Sequence, residues 1–201
     1  MKPAIVREHK LHDHRRRAGG FTLIELLTTV AIIVIILTLA APSFTAFQRN
    51  SELTGVANTM LASLSSARSE AMKRGRNTFV VPTADCKTWG DDWTQGWLVF
   101  VDNNGSQSLN SGDDILSCEP KVPEAVTVKT GSAPEGFKDP NNGKLYMMFN
   151  GSGYPRLVSG AFQSSSLDFK NSSQTRRIIS NPSGRLRVCK PGDDGCTASA
   201  L

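Results

Sequence analysis

Two hydrophobic patterns follow one another in the first part of the chain. Residues 21–41 are apolar with one ionisable side chain, Glu25, and their length matches the roughly 20 residues that a helix needs to cross a bilayer. In residues 42–76, apolar positions instead recur every three or four residues, which indicates one buried helix face. These apolar positions are Leu53, Val56, Met60, Leu61, Leu64, Ala67 and Ala71. The pattern predicts a long helix with a transmembrane half, 21–41, and an amphipathic half, 42–76.

After residue 77 the pattern changes to short runs rich in β-forming residues. The runs are NTFVV, WTQGWLVFVD, EAVTVK, KLYMMFN, SSLDF, RRIIS and GRLRVC, and clusters of Gly, Asn, Ser and Pro separate them. Residues 77–201 are therefore expected to form two small antiparallel sheets against the amphipathic half of the helix, an α+β fold. Trp89, Trp93 and Trp97 are expected to pack in and around this core rather than to form a ligand cage.

Positive charge is concentrated at the two ends of the chain. The formal net charge is +5, but residues 1–20 and residues 170–201 each contain six basic and two acidic side chains. Residues 21–169 therefore sum to −3. Because the surplus is local, the overall isoelectric point says little about binding, and the C-terminal tail is the candidate region for an acidic partner.

Four cysteines, Cys86, Cys118, Cys189 and Cys196, form no CxxC pair, and all three histidines lie in residues 1–20. A zinc site is therefore not expected. Behind an export segment the cysteines should form disulfides, for which three connectivities are possible. The pairs Cys86–Cys118 and Cys189–Cys196 are favoured because the segment CKPGDDGC contains turn residues suited to a short closed loop. Four reduced thiols in a cytoplasmic protein are the alternative.

Catalysis and cofactor binding are not expected. No histidine lies beyond the first 20 residues, and neither a GxSxG nor an SxxK motif occurs. One segment, DNNGSQSLNSGD, has oxygen-bearing side chains at spacings found in calcium loops. They belong to Asp102, Asn104, Ser106 and Asp113. Calcium binding is not favoured, because Gln107 occupies the place where the sharp turn of such a loop requires glycine.

The carboxylate of Glu25 stands inside the apolar run. Three arginines precede the run, which predicts that the N-terminus lies in the cytoplasm and the remainder of the chain outside it. A charged side chain in a membrane segment is costly, so Glu25 is a candidate functional residue. Two alternatives remain: Glu25 snorkels to the membrane interface, or the run is a secretory signal peptide cleaved near AAPSF.

The stretch GGFTLIELL, followed by an unbroken apolar run, resembles the class III signal of type IV prepilins and of type II secretion pseudopilins. The resemblance implies that a prepilin peptidase removes residues 1–20, cleaves between Gly20 and Phe21, and methylates the new N-terminus at Phe21. It also implies that Glu25 meets the N-terminal amine of a neighbouring subunit. Such a pairing recovers much of the cost of burying the carboxylate.

The segment LSSARSEAMKRGRNTFVV resembles the pseudopilin H and FimT branch of this superfamily, in which a helix ending in ARSEA leads directly into the first strand. Lys73, Arg74 and Arg76 suit the negative end of the helix dipole. Gly75 is expected to be the C-cap. These charges are therefore interpreted as helix capping and a solvated edge.

Near the C-terminus, SNPSGRLRVC predicts a turn and a strand. Alternation places Arg185 and Arg187 on one face of the strand and Leu186 and Val188 on the other. A solvated edge strand protected by charge is one interpretation. Phosphate binding by neighbouring guanidinium groups is the other.

GRLR fits a GRxR pattern that resembles the C-terminal DNA-binding motif of the FimT minor pilins used in natural transformation. The resemblance implies that Gly184, Arg185 and Arg187 contact backbone phosphates, independently of base sequence. Three further cations, Arg176, Arg177 and Lys190, are inferred to support them.

These resemblances imply a minor pilin or pseudopilin that is anchored in the inner membrane with its domain in the periplasm and then enters a fibre. Its expected partners are other pilins through the N-terminal helix, the prepilin peptidase and double-stranded DNA. The alternative is a purely structural subunit, either the H pseudopilin of a type II secretion system or a pilus-initiating minor pilin.

Overall fold

An α-helix, α1, runs from Leu23 to Arg74 in the computed structural model, which describes residues 20–130 and 137–196. The hydroxyl of Thr22 accepts a hydrogen bond from the backbone N–H of Glu25 at 3.3 Å, so Thr22 caps the first turn. The chain divides into an N-terminal unit that ends at Phe44 and a second unit that begins at Thr45. All of the predicted leader except Gly20 lies outside the described residues.

In the N-terminal unit, the side chains of residues 20–39 are exposed. Leu23–Leu39 and Ser43–Arg74 together meet the length and apolarity expected of a membrane span, whereas no single helix among the described residues does so alone. The transmembrane assignment of residues 21–41 therefore stays a prediction.

In the second unit, α1 buries one face, as its hydrophobic spacing predicts. The fully buried residues are Leu53, Ala57, Met60, Leu64, Ala67 and Ala71. Val56 and Leu61 are only partly buried, because they flank this stripe. The predicted C-cap is confirmed: Gly75 has φ +64°, and the N–H of Arg76 donates to the carbonyl of Ala71 at 3.3 Å. This closing bond is that of a Schellman motif.

Two antiparallel sheets follow in the described residues, as predicted. The strands are β1 Thr78–Pro82, β2 Trp97–Val101, β3 Asp114–Glu119, β4 Thr127–Thr130, β5 Met147–Phe149, β6 Pro155–Arg156, β7 Ser165–Lys170, β8 Thr175–Ser180 and β9 Leu186–Cys189. Their orders are β3-β2-β1-β5-β6 and β4-β7-β8-β9. The hydrophobic pattern did not predict β3 or β6. The strand β3 consists of DILSCE, has few β-forming residues and lies at a sheet edge, where its pairing with β2 determines its conformation.

Three strands of the five-stranded sheet, β1, β2 and β5, are buried on both faces. Val80 of β1 packs in the core with α1, whereas its neighbours Phe79 and Val81 belong to a second hydrophobic cluster. Trp93 and Trp97 lie in the core with α1, and Trp89 packs against the second cluster. The expected core role of the tryptophans is therefore confirmed.

Both favoured disulfides are present. Cys86–Cys118 links the segment after β1 to β3, and Cys189–Cys196 closes a short loop after β9. The first bond spans 32 positions and the second spans 7. A disulfide that closes a longer loop removes more conformational entropy from the unfolded chain.

Replacing Cys86 and Cys118 by Ser should therefore lower the free energy of unfolding by about 3.5 kcal/mol. The same change at Cys189 and Cys196 should lower it by about 2.5 kcal/mol. Urea unfolding of the full chain in a nonionic detergent, followed by tryptophan fluorescence, measures both. A larger loss for the second pair would contradict the loop-length argument.

Candidate nucleic-acid interface

The register of the four-stranded sheet determines which way the tail arginines point. Ile178 lies in the core and pairs with Val188, which packs against the same core. Because alternate residues of a strand face opposite sides, Arg177 and Arg187 lie on the outer face, and Arg176 lies on the core-facing side. The sheet therefore does not bring all the predicted cations to one surface.

Arg187 lies under the disulfide loop. Its Nε and Nη2 atoms are buried and have no hydrogen-bond partner within the described residues. The guanidinium packs so closely on Gly195 that a Cβ at that glycine would lie 3.2 Å from Nη2. The bond Cys189–Cys196 holds this loop in place. The loop therefore covers the Nε and Nη2 side of the Arg187 guanidinium, and the common face of Arg185 and Arg187 stays a prediction.

The guanidinium of Arg177 forms an ion pair with a carboxylate. Its Nε and Nη2 donate to Oδ1 and Oδ2 of Asp168 at 2.6 and 2.7 Å, and only 16% and 15% of the two side chains are exposed. The hydrogen bond to Asp168 raises the pKa of Arg177 above its usual value. Arg177 is therefore part of the sheet's outer face, and a phosphate would have to displace Asp168 to bind it.

The remaining two supporting cations differ in exposure. Arg176 is half-buried, and its Nη1 donates to the carbonyl of Thr175 at 3.3 Å. Lys190 is exposed, and its backbone N–H donates to Oδ2 of Asp193 at 3.3 Å. Only Lys190 of the two therefore has a side chain open to a large anion.

The turn before β9 holds Gly184 and Arg185. The carbonyl of Asn181 accepts from the N–H of Gly184 at 2.9 Å, and its Oδ1 accepts from the N–H of Arg185 at 2.8 Å. Gly184 has φ +81°, and a Cβ there would lie 2.7 Å from the carbonyl oxygen of Gly153. Only glycine fits this conformation and this contact. The turn leaves the Arg185 side chain exposed.

A groove of about 470 Å³ lies between this turn and α1, and both Arg185 and Arg68 line it. Nε of Arg68 donates to the carbonyl of Gly153 at 3.0 Å. Arg68 is not among the site residues predicted from the sequence. Periodicity reports only the direction of a helix residue, so it contains no signal that a distant turn approaches this position.

The oxygen-rich segment DNNGSQSLNSGD, which follows β2, forms a loop with internal hydrogen bonds. The carboxylate of Asp102 accepts from the N–H groups of Ser106 and Gln107 at 3.0 and 2.9 Å. Asp113 accepts from the N–H groups of Asn103 and Asn110 at 3.1 and 2.9 Å. Across residues 20–130 and 137–196, no group of three or more His, Cys, Asp and Glu side chains could hold a metal ion.

The predicted processing residues lie at the start of α1. Gly20 and Phe21 precede the helix and are exposed, and Glu25 is exposed in its first turn. A carboxylate in this turn interacts favourably with the helix dipole.

Comparison with known protein families identifies the class of the chain. The model described as Type II transport protein GspH matches residues 56–184. The chain belongs to the GspH family. A second model, described as Prokaryotic N-terminal methylation motif, matches residues 15–41 of this GspH-family chain. No curated protein matches it at a significant level.

Two solved structures are similar to the GspH-family chain. The type IV minor pilin FimU of Pseudomonas aeruginosa is 21% identical, with 71% of this chain and 92% of that chain covered and a TM-score of 0.49. The minor pseudopilin EpsH from the Type 2 Secretion System of Vibrio cholerae is 16% identical, with coverages of 71% and 99% and a TM-score of 0.47. Both TM-scores are below 0.5, so the assignment rests on the family model.

Family membership defines the general role of the chain. It is a minor pilin or pseudopilin subunit of a type IV pilus or type II secretion system, and it is not an enzyme. With the N-methylation motif, membership implies processing by a prepilin peptidase, a membrane-anchored precursor and assembly with other pilins.

The pair of Arg177 and Asp168 should stabilise the domain. Replacing either Arg177 by Gln or Asp168 by Asn leaves a mostly buried partner without its counter-charge, so each should lower the free energy of unfolding by about 2 to 4 kcal/mol. The double variant should lose less than the sum of the two. Lys190→Gln is the control and should change stability by less than about 0.5 kcal/mol. Additive losses in urea unfolding would contradict the pairing.

Proposed function

We propose that this chain is a minor pilin that binds double-stranded DNA non-specifically through its C-terminal tail for uptake in natural transformation. Cleavage between Gly20 and Phe21, followed by methylation of Phe21, releases the leader. Residues 21–41 then hold the subunit in the inner membrane, with the domain in the periplasm, until it enters the fibre. The match of the N-methylation motif to residues 15–41 supports this sequence of events.

The exposure of Arg185 supports DNA binding. Its side chain is exposed, and the structure gives it no ion-pair partner among the described residues. It belongs to a tail, residues 170–201, with six basic and two acidic side chains. Guanidinium groups bind phosphate in a bidentate fashion. Contacts with backbone phosphates do not depend on base sequence and weaken with salt. Arg185 is therefore the central contact, and Lys190 is a second exposed cation of the tail.

A purely structural subunit is the second candidate function. The surroundings of two other predicted cations favour it. Arg177 forms an ion pair with Asp168, and the disulfide loop packs on the guanidinium of Arg187. In that case the chain serves as the H pseudopilin of a type II secretion system or as a pilus-initiating minor pilin, and its tail arginines stabilise the domain.

DNA binding is tested with the full chain in a nonionic detergent and a double-stranded fragment, by fluorescence anisotropy at several salt concentrations. Arg185→Gln should weaken binding about fivefold and reduce the slope of log K against log salt by about 0.9, the value for one lost phosphate contact. Arg187→Gln, which removes the same charge from a covered site, should change affinity less than twofold. Wild-type protein that binds no DNA at low salt would establish the structural alternative.

The assembly role of Glu25 is tested by Glu25→Ala, with Glu52→Ala on the same helix as the matched control. The Glu25 variant should still be cleaved and methylated at Phe21, as mass spectrometry of the N-terminus would show. It should fail to enter the fibre, because the N-terminal amine of its neighbour has lost its counter-charge. Incorporation at the level of the Glu52 variant, measured in sheared fibre fractions, would refute the pairing with the neighbour's amine.

A further inference from the structure

The groove between α1 and the turn before β9 brings together two arginines that are far apart in sequence. Nε of Arg68 donates to the carbonyl of Gly153 at 3.0 Å. A Cβ at Gly184 would lie 3.0 Å from Nε of Arg68 and 3.1 Å from its Cζ. The guanidinium of Arg68 therefore packs directly on the backbone of Gly184, one residue from Arg185.

Positive charge in this groove is not compensated. Among the described residues, no carboxylate pairs with Arg68 or Arg185, and none lines the groove. The next arginine along α1, Arg74, differs in this respect: it pairs with Glu70 at 2.8 Å and with Asp114 at 2.6 Å. Arg68 is half-buried, so its charge acts in a medium that screens it less than bulk water does.

Three serines line the groove together with the two arginines. Ser65 and Ser69 of α1 line one side of the groove, and Ser183 of the turn lines the other. Guanidinium and hydroxyl donors without a competing carboxylate are the chemistry that holds a phosphate oxygen. The N–H groups of Gly184 and Arg185 and the hydroxyl of Ser183 already donate to Asn181. The hydroxyl of Ser65 donates to the carbonyl of Leu61 at 2.8 Å. An anion here is therefore held by the two guanidinium groups and the hydroxyl of Ser69, rather than by the amides of the turn.

We propose that this groove binds one phosphodiester of the DNA backbone between Arg68 and Arg185, with the hydroxyl of Ser69 as a further donor. The proposal rests on the DNA binding proposed above and adds a helix residue to a site that the GRLR motif confines to the tail. A groove of about 470 Å³ has room for a phosphate and parts of the adjoining sugars. The Arg68 contact to the phosphate is rigid, because Arg68 lies on α1 and the buried face of α1 packs in the core.

The most selective test adds a carboxylate to the groove. Ser69→Asp places a negative charge beside the two guanidinium groups and leaves the bond from Arg68 to Gly153 in place. The matched control is Ser51→Asp, an exposed serine on the same helix, about 27 Å away at 1.5 Å per residue. This distance exceeds the Debye length of about 8 Å at physiological salt, so the control should not affect the groove.

Ser69→Asp should weaken binding of a double-stranded DNA fragment about tenfold, because its carboxylate competes with the phosphate for the guanidinium groups and repels it. Ser51→Asp should change the affinity less than twofold. Arg68→Gln should reduce the slope of log K against log salt by about 0.9, with Arg49→Gln as its control for charge. Combining Arg68→Gln with Arg185→Gln should cost less than the product of the single effects, because both contact one phosphate.

The outcomes separate the two proposals. Equal affinities of the Ser69 and Ser51 variants, with wild-type binding intact, would overturn the groove and leave DNA binding by the tail. Wild-type protein that binds no DNA would overturn both. If Ser69→Asp weakens binding to vesicles of anionic phospholipid but not to DNA, the groove takes a lipid headgroup and the proposal is also wrong. Thermal unfolding of each variant, monitored by tryptophan fluorescence, confirms that the domain is folded.

Discussion

The second unit of the chain depends on the burial of one face of α1. Between Leu53 and Ala71 this face is fully buried, and three of its six residues are alanines. Small side chains allow the sheets to approach the helix closely, and the buried area supplies the hydrophobic free energy that orders the strands. Ser63 on the helix also accepts a hydrogen bond from Nε1 of Trp97 at 2.9 Å. The helix is thereby fixed relative to β2 by both apolar and polar contacts.

The same packing brings loops to the C-terminal end of α1. The turn that contains Gly153 and the turn that contains Gly184 meet at Arg68, whose guanidinium contacts both. Neither glycine can carry a side chain here without displacing its neighbours, since a Cβ at Gly153 would lie 2.7 Å from Sδ of Met72. The position of Arg185 is therefore a consequence of core packing. The GRLR segment at the surface is thus positioned by the contact between Gly184 and Arg68 of α1.

Local sequence patterns predicted those features that depend on local physics. Helical spacing identified the buried face of α1, a glycine after basic residues identified the helix end, and short loop length identified the pair Cys189–Cys196. The strand β3 was missed because its stability comes from pairing with β2 rather than from its own side chains. The position of Arg68 was missed for a related reason: its partner, Gly153, is 85 residues away.

The GRLR segment shows why a short motif does not by itself define a binding surface. Strand alternation is a property of the strand, and Arg185 precedes β9 in a turn where Gly184 has positive φ. Arg185 and Arg187 are only two residues apart, but their side chains therefore have different surroundings. One is exposed beside α1, and the other lies under a loop that the disulfide Cys189–Cys196 holds closed. Which arginine a phosphate can reach is decided by this turn and this loop, so the chemistry of the tail follows from its tertiary contacts rather than from its composition.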